Sequence, residues 1–247
     1  MAHESFKEWE VYALSTARAG SKSVPDKNLL DVLGKPLYLH NILASLENKY
    51  IKGTYLSTDI PRAIELAKEW KYEVIERPDE LCQDHSTHDD TIRHGLLEIE
   101  KRIGHQLDVL VVMLGNTMNV NENDLNRGLE QLRNSPDADS VVTVIQANHF
   151  NPIRAYVAKK GTKMGLTTYL DQREIQQRTA ALDLSDKNSI GDIYFQNGLW
   201  FLRRRAVMEA GGMLPFAWFG NNVEYLVQDP GLQEVDAEYQ IKLLPTS

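Results

Sequence analysis

Residues 107–114 form an apolar run, interrupted only by Asp108 near its start, that is too short to span a membrane and too unrelieved for a strand with one wet face. Such a strand belongs in the middle of a parallel sheet whose two faces are both covered by helices. The preceding sequence supplies the covering elements. Residues 11–15, 53–57 and 73–76 read as strands. Residues 37–46 have helical apolar spacing, and Pro61 suits the first turn of a helix carrying Ala63, Ile64, Ala67 and Trp70. Ser86 to Asp89 reads as a capping box opening a helix through Ile92, Leu96 and Ile99. Asn121 is placed to cap a helix bearing Leu125, Leu129 and Leu132, and residues 140–145 form a further strand. Strands alternating with helices imply a parallel sheet with right-handed crossovers. Ligands of such sheets bind beyond the carboxyl ends of the strands. Three polar clusters fall there: residues 18–28, Thr58-Asp59, and Gly115-Asn116-Thr117.

After residue 145 the rhythm changes. Residues 150–184 hold short alternating stretches separated by Gly161 and Gly165, a hairpin-like excursion from the sheet. Residues 194–202 return as a strand, 222–227 add a short one, and 236–244 read as a terminal helix. The chain is read as one domain over 1–247 with an insertion at 147–192.

The 247 residues carry a formal charge of -8, which argues against a broad nucleic-acid surface but allows a small basic pocket. A lone cysteine, Cys82, excludes an intrachain disulfide and a Cys-rich zinc site. The polar start shows no secretory signal and no run reaches membrane-span length, so the expected location is cytoplasmic, without membrane contact. The first polar cluster, small residues interleaved with Arg18, Lys22 and Lys27, suits a polyphosphate, because small residues admit backbone N–H groups to an anion and the cations neutralise it. An ordinary solvated connection reads equally well from the residues alone. It is neither a P-loop nor a dinucleotide glycine motif.

The segment Ala17-Arg-Ala-Gly-Ser-Lys-Ser-Val-Pro-Asp-Lys-Asn28, followed by Leu33-Gly-Lys-Pro-Leu37, resembles the opening of the acylneuraminate cytidylyltransferases. The resemblance continues through Leu56-Ser-Thr-Asp59, through Arg77-Pro78 with Leu81, Asp84, Ser86, Thr87 and Asp89, through Asn197-Gly198, and through the acidic tail Glu234-Val-Asp-Ala-Glu238. It implies an α/β, three-layer, Rossmann-like nucleotidyltransferase fold of the nucleotide-diphospho-sugar transferase kind, with a mostly parallel sheet and a small β-rich insertion. The implied reaction is Mg²⁺-dependent transfer of CMP from CTP to a nine-carbon 2-keto sugar acid, releasing pyrophosphate, in a homodimer. By position it implies Arg18, Lys22 and Asp236 as catalytic. Ala17, Gly20, Ser21, Lys27, Asn28, Asp89 and Asn116 join Arg18 and Lys22 in binding nucleotide. Thr117, Arg178 and Asn197 bind the sugar, and Asp236 with Glu234 holds the metal.

Several positions depart from the family pattern. Ala19 and Ser23 replace glycines, Leu114 replaces a glutamine, Glu234 replaces an aspartate, and Gln177-Arg-Thr179 replaces an Arg-Arg-Gln-like run. These loosen the expectation for base and sugar, leaving open another base such as guanine, another sugar, or a nucleotide-binding homologue without turnover. A glycosyltransferase would need a mid-chain Asp-x-Asp, and Asp137-Ala-Asp139 sits in an expected surface loop. Asp59 is weighted towards turning the chain, and the histidines His85, His88 and His94 towards capping and solvent. Arg203 to Arg205 read as a solvated strand end, and Trp200, Phe216, Trp218 and Phe219 as packing.

Overall fold

The computed structural model describes residues 9–21, 24–83, 86–118, 120–161, 164–180, 189–209, 211–228 and 234–245. Two compact units divide the chain: Met1–Thr143 with Asn197–Ser247, and Val144–Gln196.

The first half lays down β1 (Val11–Ala17), a miniature hairpin of β2 (Asp31–Val32) and β3 (Lys35–Pro36), α1 (Leu37–Leu46), β4 (Gly53–Thr58), α2 (Pro61–Trp70), β5 (Glu73–Glu76), α3 (His88–Ile103), β6 (Val109–Leu114), α4 (Glu122–Asn134) and β7 (Ser140–Gln146). There follow β8 (Tyr156–Ala158), β9 (Leu166–Thr168), α5 (Gln172–Thr179), β10 (Tyr194–Arg203), α6 (Arg204–Met208), β11 (Val223–Val227) and α7 (Glu238–Ile241). A seven-stranded sheet runs in the order β11-β7-β10-β6-β1-β4-β5. β1 pairs in parallel with both β4 and β6, and β4 in parallel with β5. The late strand β10 enters antiparallel beside β6, so the sheet is mixed, with a parallel half built from the first 114 residues.

Both faces are covered, as the apolar run requires. On one face Val11, Ala13, Val109, Val111 and Met113 pack with Leu125, Leu129 and Leu132 of α4, while Leu56 packs with Leu39 and Ile42 of α1 and Ala63 and Ala67 of α2. α3 takes the other face. There Gly95 lies so close to Leu14 of β1 that an added Cβ would stand 2.4 Å from a leucine methyl. Gly128 of α4 is tighter still, 2.1 Å from the ring of the fully buried Phe201 for the same added atom.

Helix starts follow side-chain chemistry. Asn121 accepts from the Asp124 N–H at 2.9 Å and caps α4 as expected. At α3 the expected cap is displaced by one residue: Thr87, not Ser86, accepts from the Asp90 N–H at 3.1 Å, while the Ser86 hydroxyl turns back to the Glu80 carbonyl at 2.5 Å. The terminal helix is shorter than the apolar pattern implies, four residues instead of nine: Gln240 caps its start by accepting from the N–H groups of Asp236 and Ala237 at 2.8 and 2.7 Å, and beyond Ile241 the chain continues in tighter turns, with Leu243 N–H donating to Gln240 O and Leu244 N–H to Ile241 O.

The unit Val144–Gln196 contains the two-stranded antiparallel hairpin β8–β9 and the eight-residue α5, with Asp171 capping the helix through the Arg173 N–H at 2.8 Å. Its base is closed by the Ala147 N–H donating to Ile193 O at 2.9 Å. No helix among the described residues is long and apolar enough to cross a membrane.

Candidate functional site

The pairings Thr16↔Leu114 and Ala17↔Thr58 bring the carboxyl ends of β6, β1 and β4 level with one another. Beyond them opens a cleft of roughly 270 Å³, lined by Thr16, Arg18, Lys27, Asn28, Arg77, Leu81, Gln83, Ser86, Thr87, His88, Thr91, Leu114 and Asn116. Three of these side chains are cations, which suits the cleft to a polyphosphate.

The loop after β1 is fastened from several sides. Asp59, at the end of β4, accepts from the Ala19 N–H at 2.7 Å, so it does hold the chain in its turn. Buried Asn28 donates to Arg18 O at 3.0 Å, and the Arg18 guanidinium reaches Cys82 O at 3.3 Å. Asp26 occupies the left-handed region at φ 49°. Gly20 does so at φ 68° and is exposed, whereas Ser21 is half-buried. Ala17 is buried in the core at the strand end and does not line the cleft. Lys22, Ser23, Asp84 and His85 lie outside the described residues.

The C-terminal acidic segment reaches this loop. Lys27 Nζ stands 2.5 Å from Asp236 Oδ1, and Asn116 Nδ2 donates to the same oxygen at 3.1 Å. The segment is docked by its middle residue. Val235 is fully buried with Val32 and Leu37, and its N–H donates to Asn116 O at 2.8 Å. The strand-like spacing of Glu234, Val235 and Asp236 thus turns one side chain into the core and leaves acids on either side of it. Burial pushes the Asp236 carboxyl upward, but the Lys27 ammonium and the hydrogen bonds from Glu234 and Asn116 outweigh it, and the net shift is downward.

Two further residues of the cleft lining had been given no site role: Arg77 stood only within the resembling segments, and His88 was weighted towards capping and solvent. Arg77 is buried and donates to the carbonyl of Ser57 at 2.9 Å and to its hydroxyl at 3.3 Å. Burial lowers its pKa, but a guanidinium remains charged. His88, expected at the surface, is instead enclosed between Trp200 and Trp218, with ring centroids 5.7 and 5.8 Å away. Its Nε2 meets Thr16 Oγ1 at 3.1 Å. Burial, aided by the charge of Arg77, pushes its pKa down to about 4, so at neutral pH it presents an uncharged ring to the cleft. The available signal was its place as the first residue of α3, just beyond strand ends. His94 is half-buried, with its Nδ1 lacking a partner among the described residues.

Within the first unit, other expected site residues lie outside the cleft lining. Thr117 is fully buried; its hydroxyl donates to Leu114 O at 3.0 Å and accepts from Asn41 at 2.8 Å, directed into the fold and not the cleft. Buried Asn197 accepts from Thr143 and donates to Gln228 at 2.5 Å, and Gln228 in turn donates to Asp124 at 2.6 Å. Asp89 sits half-buried in the first turn of α3 outside the cleft lining. Arg178 lies on α5 in the second unit and pairs with Glu174 at 2.8 Å. The three arginines after β10 are not simply solvated. Arg203 donates to the carbonyls of Leu132 and Ala138, Arg204 grips Glu100, and Arg205 pairs with Asp139. Asp139 also accepts from the N–H groups of Asn221 and Asn222, so Asp137-Ala-Asp139 is a connection held by structure.

Comparison with known proteins adds four findings. A family model described as cytidylyltransferase matches residues 13–226. The pseudaminic acid cytidylyltransferase and UDP-2,4-diacetamido-2,4,6-trideoxy-beta-L-altropyranose hydrolase of Helicobacter pylori is 24% identical over 168 residues, 68% of this chain and 32% of that protein. The N-acylneuraminate cytidylyltransferase of Oncorhynchus mykiss is 28% identical over 158 residues, 64% of this chain and 34% of that one. The matches therefore span about a third of the length of these relatives. Among solved structures, CMP:2-keto-3-deoxy-manno-octonic acid synthetase complexed with CTP superposes with a TM-score of 0.64 at 16% identity, covering 95% of this chain and 96% of that one, a likeness of fold.

Proposed function

The chain belongs to the cytidylyltransferase family, and from that footing we propose that it transfers CMP from CTP to an acidic 2-keto sugar and releases pyrophosphate. The observation that carries the reading is the contact between Lys27 and Asp236, 209 positions apart, at a cleft that also holds Arg18 and Arg77. A basic loop from the start of the fold and a carboxylate from its end meet where the strand ends open.

The sugar hydroxyl attacks the α-phosphorus; the new P–O bond forms as the bond to the departing pyrophosphate breaks. Little covalent work falls to the protein, so catalysis is positioning and charge stabilisation. Arg18, Lys27 and Arg77 offset charge on the polyphosphate. Asn28 and Asp59 keep the Arg18 loop in place through the bonds to Arg18 O and Ala19 N. Neutral His88 adds a hydrogen-bonding group without adding charge, which suits the uncharged base end of a nucleotide. Asp236, held ionised, is fitted to bind a cation and not to shuttle protons.

Mg²⁺ fits this donor set. Glu234 and Asp236 are hard oxygen ligands of the kind it takes one or two of, the rest being phosphate oxygens and water. A cation, the Lys27 ammonium, already rests on Asp236. When bound, the metal would polarise the phosphate oxygens. The fold carrying the site is read as one nucleotidyltransferase domain with 147–192 as its insertion. Tyr156, Met164, Leu166 and Tyr169 of that insertion are exposed apolar side chains, and we assign them to contact with a second copy. We assign the chain to the cytoplasm, a compartment that supplies nucleoside triphosphates.

The test is a pyrophosphate-release screen of CTP, GTP, ATP and UTP against keto-sugar acids, with Asp236→Ala alongside. Release with CTP and one such acid, lost in the variant while its circular dichroism is unchanged, supports the reading. Binding without turnover for all four triphosphates, or near-normal turnover by Asp236→Ala, overturns it.

A further inference from the structure

We infer that Lys27 is an exchangeable occupant of the metal position, a positioning residue that withholds Asp236 from a divalent cation until a polyphosphate draws the ammonium away. The inference rests on the cleft being a nucleotide site, and goes beyond it by assigning an order to what enters.

Lys27 faces two ways. It lines the cleft beside Arg18 and Asn28, and its Nζ stands 2.5 Å from Asp236 Oδ1. Asn116 Nδ2 shares that oxygen at 3.1 Å, so Oδ1 already accepts two hydrogen bonds. The Lys27 side chain is 17% exposed, and Asp236 is held from behind by Val235 in the core and by Gln240 on its N–H. The backbone that carries the carboxylate is thus fixed, and the longer, more mobile partner is the lysine, whose four-carbon stem lets the ammonium move.

A divalent cation arriving alone would have to displace an ammonium from Oδ1 or lie beside it against like-charge repulsion. A triphosphate changes that balance, offering Lys27 a partner of higher negative charge within the same cleft. Metal and ammonium then separate: the lysine goes to the phosphates, and Asp236 becomes free to bind the metal they carry. Coupling between two ligands of this kind is typically about 5- to 150-fold and is reciprocal. Without nucleotide the lysine competes with the metal; with nucleotide it does not.

The experiment titrates Mn²⁺ into the full chain without nucleotide, reading bound metal by electron paramagnetic resonance, so the result is independent of turnover. Lys27→Met should bind Mn²⁺ about tenfold more tightly than the unsubstituted protein. Adding Asp236→Asn to Lys27→Met should erase the gain, with near-ultraviolet circular dichroism confirming that each variant is folded. Equal or weaker Mn²⁺ affinity in Lys27→Met overturns the proposal, as does a gain that survives Asp236→Asn. If the chain releases no pyrophosphate with any triphosphate, the functional reading fails, while the Mn²⁺ comparison still decides whether Lys27 guards Asp236.

Discussion

Acidification from pH 7 to pH 5 should remove stability through one identifiable ring. His88 is held neutral between Trp200 and Trp218, its pKa pushed from 6.5 down to about 4. Because the folded-state pKa lies below the unfolded one, the unfolded chain takes up the proton first. The contribution is therefore intact above pH 6.5 and is lost as the pH falls towards 4. A displacement of that size is worth at most about 3 kcal/mol at the low-pH limit, and about 2 kcal/mol of it is lost between pH 7 and pH 5. The perturbation is His88→Gln, which keeps a hydrogen-bonding group near Thr16 and removes the titration. Urea unfolding of both proteins at pH 7 and pH 5 isolates the ring, since other titrating groups are common to the two. The unsubstituted protein should lose about 2 kcal/mol more than the variant over that interval. Equal losses in the two proteins, or a nuclear magnetic resonance midpoint for His88 near its ordinary value, would refute the reasoning.

Gly128→Ala should lower stability despite the better helix former, because an added carbon 2.1 Å from the Phe201 ring must displace a fully buried side chain. About 1–3 kcal/mol of overpacking set against about 1 kcal/mol of helix propensity leaves a net loss, visible as a fall of a few degrees in Tm. Thr117→Val should cost about 1 kcal/mol, since it removes the buried hydroxyl's bonds to Leu114 O and from Asn41 while the Asn41 amide keeps the carbonyls of Leu114 and Thr117, and it should leave the KM for acceptor sugar unchanged. A raised KM with full stability would show Thr117 facing substrate. Arg18→Ala should raise the KM for CTP by tenfold or more without moving Tm beyond a degree or two, reflecting loss of about 1.5–3 kcal/mol from a charge-assisted contact. An unchanged KM would remove Arg18 from the phosphate site.

The parallel half of the sheet was readable because its pattern is local. The apolar run ending at Leu114 and the helical stripes of α1, α2 and α4 each declare their burial within a dozen residues. The loop from Arg18 to Asn28 was only half legible, since cations and small residues after a strand end suit a solvated connection as well as a polyphosphate site, and what puts Arg18 and Lys27 at a cleft is their meeting with Arg77 and Asn116, remote in the chain. His88 was not, because its environment is made by Trp200 and Trp218, more than a hundred positions away, and its own neighbours in sequence are polar. Thr117 and Asn197 show a related limit. A polar residue beside apolar ones either presents itself to a ligand or satisfies a buried partner, and the partners here, Asn41 and Gln228, are remote in the chain. The one-residue displacement of the α3 cap has a smaller cause: Ser86 and Thr87 at adjacent positions offer competing caps of similar quality.

The burial of Val235 gives the molecule a gauge of its own readiness. The amide of that residue is protected only while its bond to Asn116 O is made, and while it is made Asp236 is presented beside Lys27. Hydrogen exchange at this one position should therefore report how often the acidic strip is seated, separately from global unfolding. Substitutions deep in the pocket around Val32 and Leu37 would then register as altered exchange there before any change in the sheet, linking core packing to the supply of a carboxylate.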